Sequence, residues 1–87
     1  MKIEKKIDKD SFELILKGTK KYEIRLNEFE CKVGDTLVLL EKDPVTNKLT
    51  GRQIKKTVTL VDTIDVDNSF YSKKDIEEKG FLVISFD

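Results

Sequence analysis

The chain has 87 residues, which suffices for one domain with a single hydrophobic core and is too few for two, so we expect one domain over residues 1–87. Charged residues make up 39% of the chain, but 17 basic residues balance 17 acidic ones, so net charge gives no support for nucleic-acid binding. The chain contains one cysteine, Cys31, and no histidine. This composition excludes an intramolecular disulfide, a histidine-based catalytic site and the usual Cys/His zinc site, and we predict neither a metal nor a cofactor.

The charges are unevenly distributed along the chain. Residues 1–25 contain eight basic and five acidic side chains, whereas residues 62–87 contain three and seven. We therefore expect the basic side of the molecule to lie near the N-terminal third. Residues 1–6 are too charged for a signal peptide, and no apolar stretch approaches the roughly 20 residues that span a bilayer. We expect a cytoplasmic protein with no membrane partner; the sequence does not fix an oligomeric state, and a monomer is assumed.

The first two elements are a strand and a helix. Residues 2–7 alternate between polar and apolar side chains, as a short opening strand does. In the following segment Asp10 and Glu13 have the spacing of a capping box, and apolar side chains recur on one helical face. Gly18 stands where a helix C-cap is expected. The pattern predicts a helix that begins near Asp10 and ends before Gly18.

Residues 21–27 have the two-residue period of a half-buried strand. The apolar residues are Tyr22, Ile24 and Leu26, and they alternate with Lys21, Glu23, Arg25 and Asn27. This alternation predicts that the three apolar side chains face the core and that the four polar side chains share the other face. Spacing alone does not distinguish a binding surface from a solvated face whose alternating charges serve solubility and cross-strand pairing.

The remainder of the chain predicts three more strands. Residues 36–40 form an apolar run typical of a central strand that is covered on both faces. Residues 43–51 carry turn-forming Pro, Asn and Gly, which favours a long hairpin leading into a strand over residues 53–61. A short helical turn is predicted over residues 73–79, and residues 81–86 close the chain as an apolar strand. The total is about five strands and one clear helix.

Other candidate functional residues have simpler explanations. Tyr71 and Tyr22 are of the type that stacks on bases, although Tyr22 lies on the predicted core face. The basic group of Arg52, Lys55 and Lys56 suits phosphate contacts, but a solvated hairpin flank explains it better. We interpret Cys31 as structural, because no histidine or second cysteine accompanies it.

Residues 18–25 carry a sequence pattern that favours a functional site over a solvated charged face. Gly18, Lys20, Glu23 and Arg25 resemble the Gly-x-Lys-x-x-Glu-x-Arg signature of the ASCH superfamily, and residues 33–35, 43–44 and 50–52 extend the resemblance to small bacterial and phage members. The resemblance implies an α+β fold of the PUA-like type, a mostly antiparallel β-barrel with a helix beside a cleft. It also implies RNA, or a nucleoside or nucleotide, as partner. Five residues would then bind the ligand: Lys20, Lys21, Glu23, Arg25 and Asn27.

The resemblance also raises a catalytic alternative. Some small ASCH proteins resemble amidohydrolases that deacylate a modified cytidine of the N4-acetylcytidine type with a Lys, a Thr and a Glu. Here Lys20 and Glu23 would be the catalytic residues, but Glu23 occupies the position of that Thr, with Thr19 nearby. The catalytic Glu of those proteins lies late in the chain, and Glu77 or Glu78 would correspond to it here by position alone.

The position of Lys20 is a geometric test of the binding and catalytic hypotheses. The turn at Gly18 must bring Lys20 into contact with Glu23, while Glu23, Arg25 and Asn27 point together into the cleft. We rank ligand binding first and catalysis second. A third hypothesis is a phage or mobile-element accessory protein that binds another protein through an exposed sheet edge.

Overall fold

A computed structural model describes residues 1–64 and 80–87, and contains one helix and five strands. The elements are β1 (Lys2–Asp8), α1 (Lys9–Leu16), β2 (Tyr22–Leu26), β3 (Thr36–Lys42), β4 (Leu49–Ile64) and β5 (Phe81–Phe86). The expected strands and the first helix are thus present. The helical turn predicted over residues 73–79 lies outside the described residues, as do Tyr71, Glu77 and Glu78.

The five strands form one mixed sheet in the order β1-β3-β4-β5-β2. β1 runs parallel to β3, and the other three neighbouring pairs are antiparallel. β3 is an interior strand, as expected, but β4 is the middle one. β4 pairs with β3 through its first part and with β5 through its second, and therefore connects the two halves of the sheet.

The prediction of a closed PUA-like barrel is wrong, because the sheet is open between β1 and β2, its two edge strands. Closure would require backbone hydrogen bonds between the two edge strands. Instead, Nη2 of Arg25 on β2 donates to the main-chain oxygen of Lys6 on β1 at 2.5 Å. A side chain therefore lies between the edges and uses a carbonyl group that a strand ladder would use.

The hydrophobic core lies between α1 and one face of the sheet. Phe12 and Ile15 of α1 are 2% and 0% exposed. They pack with apolar side chains from four strands: Ile3, Ile7, Leu37, Leu39, Val58, Leu82, Ile84 and Phe86. Burial of this apolar surface is the main favourable contribution to folding in so small a chain.

A β-bulge in β4 changes which side chains face the core. Val58 pairs with Phe86 and Leu60 pairs with Ser85, so Thr59 is an extra residue on β4. The extra residue reverses the alternation, and consequently Leu60 is 54% exposed whereas Val61 packs against the core. A two-residue period continued from Ile54 and Val58 would place Leu60 on the apolar face, and the bulge at Thr59 is the reason that it does not lie there.

Candidate functional site

The space between the two edge strands is a groove with a cavity volume of about 440 Å³, within the range of about 300–1,000 Å³ usual for ligand sites. We call it the strand groove. β1, α1, β2 and the end of β3 line it, together with the turn that precedes β2. Its charged lining residues are Lys6, Asp8, Lys20, Glu23, Arg25 and Lys42. Four are basic and two are acidic, so the described lining has a formal charge of +2.

Glu23 is the buried acid of the strand groove. It is 7% exposed, and its register partner on β5 is Ile84, which is fully buried in the core. Its Oε1 lies 3.5 Å from Nζ of Lys20, and its Oε2 lies 3.3 Å from Nε of Arg25. A buried carboxylate needs such partners, because desolvation of an unpaired charge is costly.

Arg25 connects the two walls of the strand groove. Its Nη2 donates to the carbonyl of Lys6 across the groove, and its Nε faces Glu23 on the same strand. That Nε is buried and makes no hydrogen bond in the described structure, since its contact with Glu23 lacks hydrogen-bond geometry. The guanidinium therefore has one buried N–H donor that makes no hydrogen bond and is stabilised only by the charge of Glu23.

The end of α1 positions Lys20. The N–H of Gly18 donates to Ile15 O and the N–H of Thr19 donates to Leu14 O, both at 3.0 Å, which is the hydrogen-bond pattern of a Schellman motif. Gly18 has φ +80°, a left-handed conformation that favours glycine. The resulting reversal brings Nζ of Lys20 to Glu23 and also within 3.2 Å of Ser11 Oγ. The predicted contact between Lys20 and Glu23 is confirmed.

The start of α1 differs from the prediction. The helix begins at Lys9 with Asp8 as N-cap, and Asp8 makes no side-chain capping hydrogen bond. Asp10 therefore lies inside the first turn, so the predicted capping box with Glu13 is wrong. Glu13 instead forms an ion pair with Arg52, and Asp8 lies 3.7 Å from Lys42. Asp8 and Lys42 are partners in the parallel register of β1 and β3, which explains their contact.

The two faces of β2 are reversed relative to the prediction. Tyr22 and Ile24 are 46% and 52% exposed, whereas Glu23 is buried and Arg25 is half-buried. The register sets this orientation, since Glu23 and Arg25 lie opposite the buried residues Ile84 and Leu82. The polar face of β2 thus borders the core, where it forms the strand groove, and the ring of Tyr22 lies with its centroid 5.2 Å from Nζ of Lys20.

The structure brings together three of the five residues predicted to bind a ligand. Lys20, Glu23 and Arg25 line the strand groove, whereas Lys21 and Asn27 are exposed and outside its lining. The main chains of these two hold β2 in place, since Lys21 O accepts from Phe86 N and Asn27 N donates to Gly80 O, both at 3.1 Å. The expectation that Asn27 points into the same cleft is therefore wrong.

Four polar lining residues were missed in the sequence: Lys6, Asp8, Ser11 and Lys42. Lys42 meets β1 only through a parallel strand pair whose members are 34 residues apart, and no local pattern predicts that register. Ser11 lies in the first turn of α1 and is recognisable only by its hydrogen bond from Lys20. Local periodicity could have identified none of these contacts.

A second hollow lies beside the strand groove. We call it the aromatic hollow; it has a volume of about 360 Å³ and shares Ile24 and Arg25 with the strand groove. Its other lining residues are Lys5, Leu26, Glu28, Phe29 and Phe81. Nζ of Lys5 lies 3.7 Å from the centroid of the Phe29 ring, which is cation–π geometry.

Arg52, which the sequence analysis considered for phosphate contacts, has a structural position. Its Nε and Nη2 donate to the two carboxylate oxygens of Glu41 at 3.0 and 2.7 Å, and it also contacts Glu13. The guanidinium carbon lies 4.7 Å from the centroid of the Phe12 ring. Hydrogen bonds from Arg52 and then from Thr50 lower the pKa of Glu41 to about 2. The cluster ties the β3–β4 hairpin to α1.

The chain is similar to known proteins in sequence and in fold. Residues 3–76 match the sequence profile of a family described as a domain of unknown function, DUF3850. The chain belongs to the DUF3850 family. The crystal structure of the hypothetical protein PH0355 has the same fold as this DUF3850 chain, with a TM-score of 0.75 and 19% sequence identity over 100% of this chain and 98% of that one. No curated protein matches the DUF3850 chain in sequence.

These comparisons establish family and fold, and the resemblance to the ASCH superfamily stays a prediction. Across residues 1–64 and 80–87, no helix of the DUF3850 chain has the length and apolar character needed to cross a membrane. The same residues contain no group of three or more Asp, Glu or Cys side chains arranged to hold a metal ion.

Proposed function

We propose that this DUF3850 chain binds RNA or a free nucleotide in the strand groove. The observation that carries the proposal is the buried carboxylate of Glu23, held between Lys20 and Arg25 in the wall of a groove with a net positive lining. Such a site offers an acceptor for an amino group beside donors for anionic or carbonyl oxygens. A nucleotide presents both kinds of group on one molecule.

The basic lining of the strand groove suits a phosphate group. Lys6 is exposed at its rim, and Lys42 on the same side is half-buried and paired only at 3.7 Å with Asp8. Lysine ammonium groups bind phosphate as point charges with rotatable donors. We expect these two lysines, together with Lys20, to contribute most of the salt-dependent part of the affinity.

Base recognition would fall to Glu23 and Arg25. The Glu23 carboxylate can accept from the exocyclic amino group of cytosine or adenine, and the part of the Arg25 guanidinium that remains exposed can donate to a base oxygen or nitrogen. The exposed ring of Tyr22 lies beside Lys20 and offers a face for stacking. Lys20, Glu23 and Arg25 are also residues on which the ASCH resemblance depends, so sequence pattern and geometry support the same surface.

Fluorescence anisotropy with labelled single-stranded and hairpin RNAs tests the proposal. We expect Lys20→Ala to weaken binding about tenfold, the loss of one charged hydrogen bond of about 1.4 kcal/mol. Lys55→Ala is the matched control, because Lys55 is exposed on β4 and does not line the groove, and it should change affinity less than twofold. Affinity should fall as salt rises.

Two results would contradict the proposal. Absent or salt-independent binding at micromolar protein would remove the support for a phosphate-binding groove. Equal losses in the Lys20 and Lys55 variants would show a diffuse charge effect rather than a site, and would leave the phosphate-binding interpretation of Lys55 and Lys56 as the better one.

One contact favours amidohydrolysis of an acylated nucleoside as a second candidate. Ser11 Oγ accepts a hydrogen bond from Lys20 Nζ in the groove, so a hydroxyl group lies beside a lysine and Glu23. A lysine that acts as a base must be uncharged, whereas Lys20 is ion-paired, and for this reason we rank binding first. Incubation with N4-acetylcytidine should release cytidine and acetate if this candidate is correct, and an unchanged chromatogram would reject that substrate.

A further inference from the structure

The aromatic hollow continues the strand groove along β2. The two spaces share the side chains of Ile24 and Arg25, so a ligand that fills one ends at the wall of the other. Their volumes, about 440 and 360 Å³, are similar, and each lies within the range of a small-molecule site. The strand groove and the aromatic hollow are therefore two adjoining compartments with Arg25 at their border.

The chemistry of the two compartments differs. The strand groove carries six charged side chains, whereas four of the seven residues that line the aromatic hollow are apolar: Phe29, Phe81, Ile24 and Leu26. Phe29 and Phe81 are half-buried, which leaves part of each ring accessible. Aromatic rings beside a positively charged groove are typical of surfaces that bind single-stranded nucleic acid, because every base has a face that stacks.

We propose that the aromatic hollow holds the base of a second nucleotide, so that the chain binds two consecutive nucleotides of single-stranded RNA better than one free nucleotide. The inference rests on the proposed function of the strand groove and specifies its substrate class. The first nucleotide occupies the strand groove, and the joining phosphate lies near Arg25. The second base then packs on the ring of Phe29.

Lys5 now covers the ring of Phe29 and must yield to that base. A cation–π contact at an exposed site is worth about two- to fivefold in an equilibrium constant, and base stacking on an aromatic side chain is worth about 5- to 150-fold. Stacking therefore exceeds the contact that it replaces. The released ammonium group of Lys5 can bind the joining phosphate, which adds to the preference for a dinucleotide.

Titrations with cytidine 5′-monophosphate and with the dinucleotide CpC carrying a 5′-phosphate, followed by NMR, test the inference, because both ligands then offer a phosphate to Lys6 and Lys42. We expect the wild type to bind CpC at least about tenfold more tightly than the mononucleotide. Phe29→Leu keeps an apolar side chain but removes the stacking face, and should reduce this ratio below about threefold while binding of the mononucleotide is unchanged. Tyr22→Leu is the matched control in the strand groove and should leave the ratio unchanged.

The outcomes separate the inference from the proposed function. Equal binding of CpC and the mononucleotide, an undiminished ratio in Phe29→Leu, or equal losses of both ligands in that variant would overturn the inference and leave the strand groove as a nucleotide site. Failure of both ligands and of longer RNA to bind would overturn the proposed function, and the inference with it. If Phe29→Leu does not fold, shifts of the Phe29 ring resonances in the wild type decide: CpC should move them and the mononucleotide should not.

Discussion

Replacement of Gly18 by alanine tests the link between the end of α1 and the strand groove. Gly18 has φ +80°, and a Cβ added there would meet no atom within 4 Å, so the expected cost is backbone strain without a clash. A non-glycine residue in the left-handed region costs about 1–2 kcal/mol. For a chain of 87 residues we expect the Tm to fall by about 4–8 °C per kcal/mol. Asparagine tolerates this region better, and Gly18→Asn should lose less.

Thermal unfolding by circular dichroism measures this loss, and RNA anisotropy measures its effect on the groove. Gly34→Ala is the matched control, because Gly34 has φ +95° and equally open surroundings but lies outside the groove lining. Both alanine variants should lose similar stability, and only Gly18→Ala should weaken RNA binding at temperatures where both are folded, since it displaces Lys20. An unchanged Tm in Gly18→Ala would refute the left-handed turn and the reasoning built on it.

Two further predictions concern stability. Glu41→Gln should lower the free energy of unfolding at pH 7. Because the pKa of Glu41 is lowered from 4.5 to about 2 in the folded chain, the carboxylate stabilises the fold above pH 4.5 and loses this effect when it is protonated. The difference from wild type should therefore shrink as the pH falls from 4.5 toward about 2. Urea titrations across this range measure it, and a pH-independent difference would contradict the ion pair. Leu39→Ala should cost about 2–5 kcal/mol and Leu60→Ala less than about 0.5 kcal/mol, because Leu39 is fully buried and Leu60 is 54% exposed. Similar losses in urea titrations would contradict the bulge at Thr59.

Local sequence signals predicted much of the fold. Alternation identified β1, and apolar character identified β5. Turn chemistry placed the β3–β4 hairpin, where Asp43 Oδ1 accepts from Val45 N at 2.8 Å and Asn47 has φ 60°. Gly18 marked the end of α1 and the place where Lys20 turns toward Glu23. These features depend on neighbours within a few residues, which is the range over which a sequence pattern is informative.

Contacts between residues far apart in sequence determined the features of the fold that local patterns did not predict. A period of two predicts that the sides of β2 alternate, but pairing with β5 determines which side borders the core, and it buries Glu23 rather than Tyr22. The barrel was expected from a family resemblance, whereas Arg25 occupies the gap between β1 and β2. Thr59 reversed the phase of β4, and a single inserted residue of this kind leaves no mark in the alternation that precedes it.

The order of the strands also affects how the molecule assembles. β2 lies within the first 26 residues, but its partner in the sheet is β5, which begins at Phe81. The β3–β4 hairpin pairs neighbours in sequence and closes a short loop, whereas β2 must wait for contacts more than 50 residues away, a separation that slows folding. We therefore expect the wall of the strand groove that carries Glu23 and Arg25 to form late in folding. A ligand of this groove would then bind only chains that have completed folding.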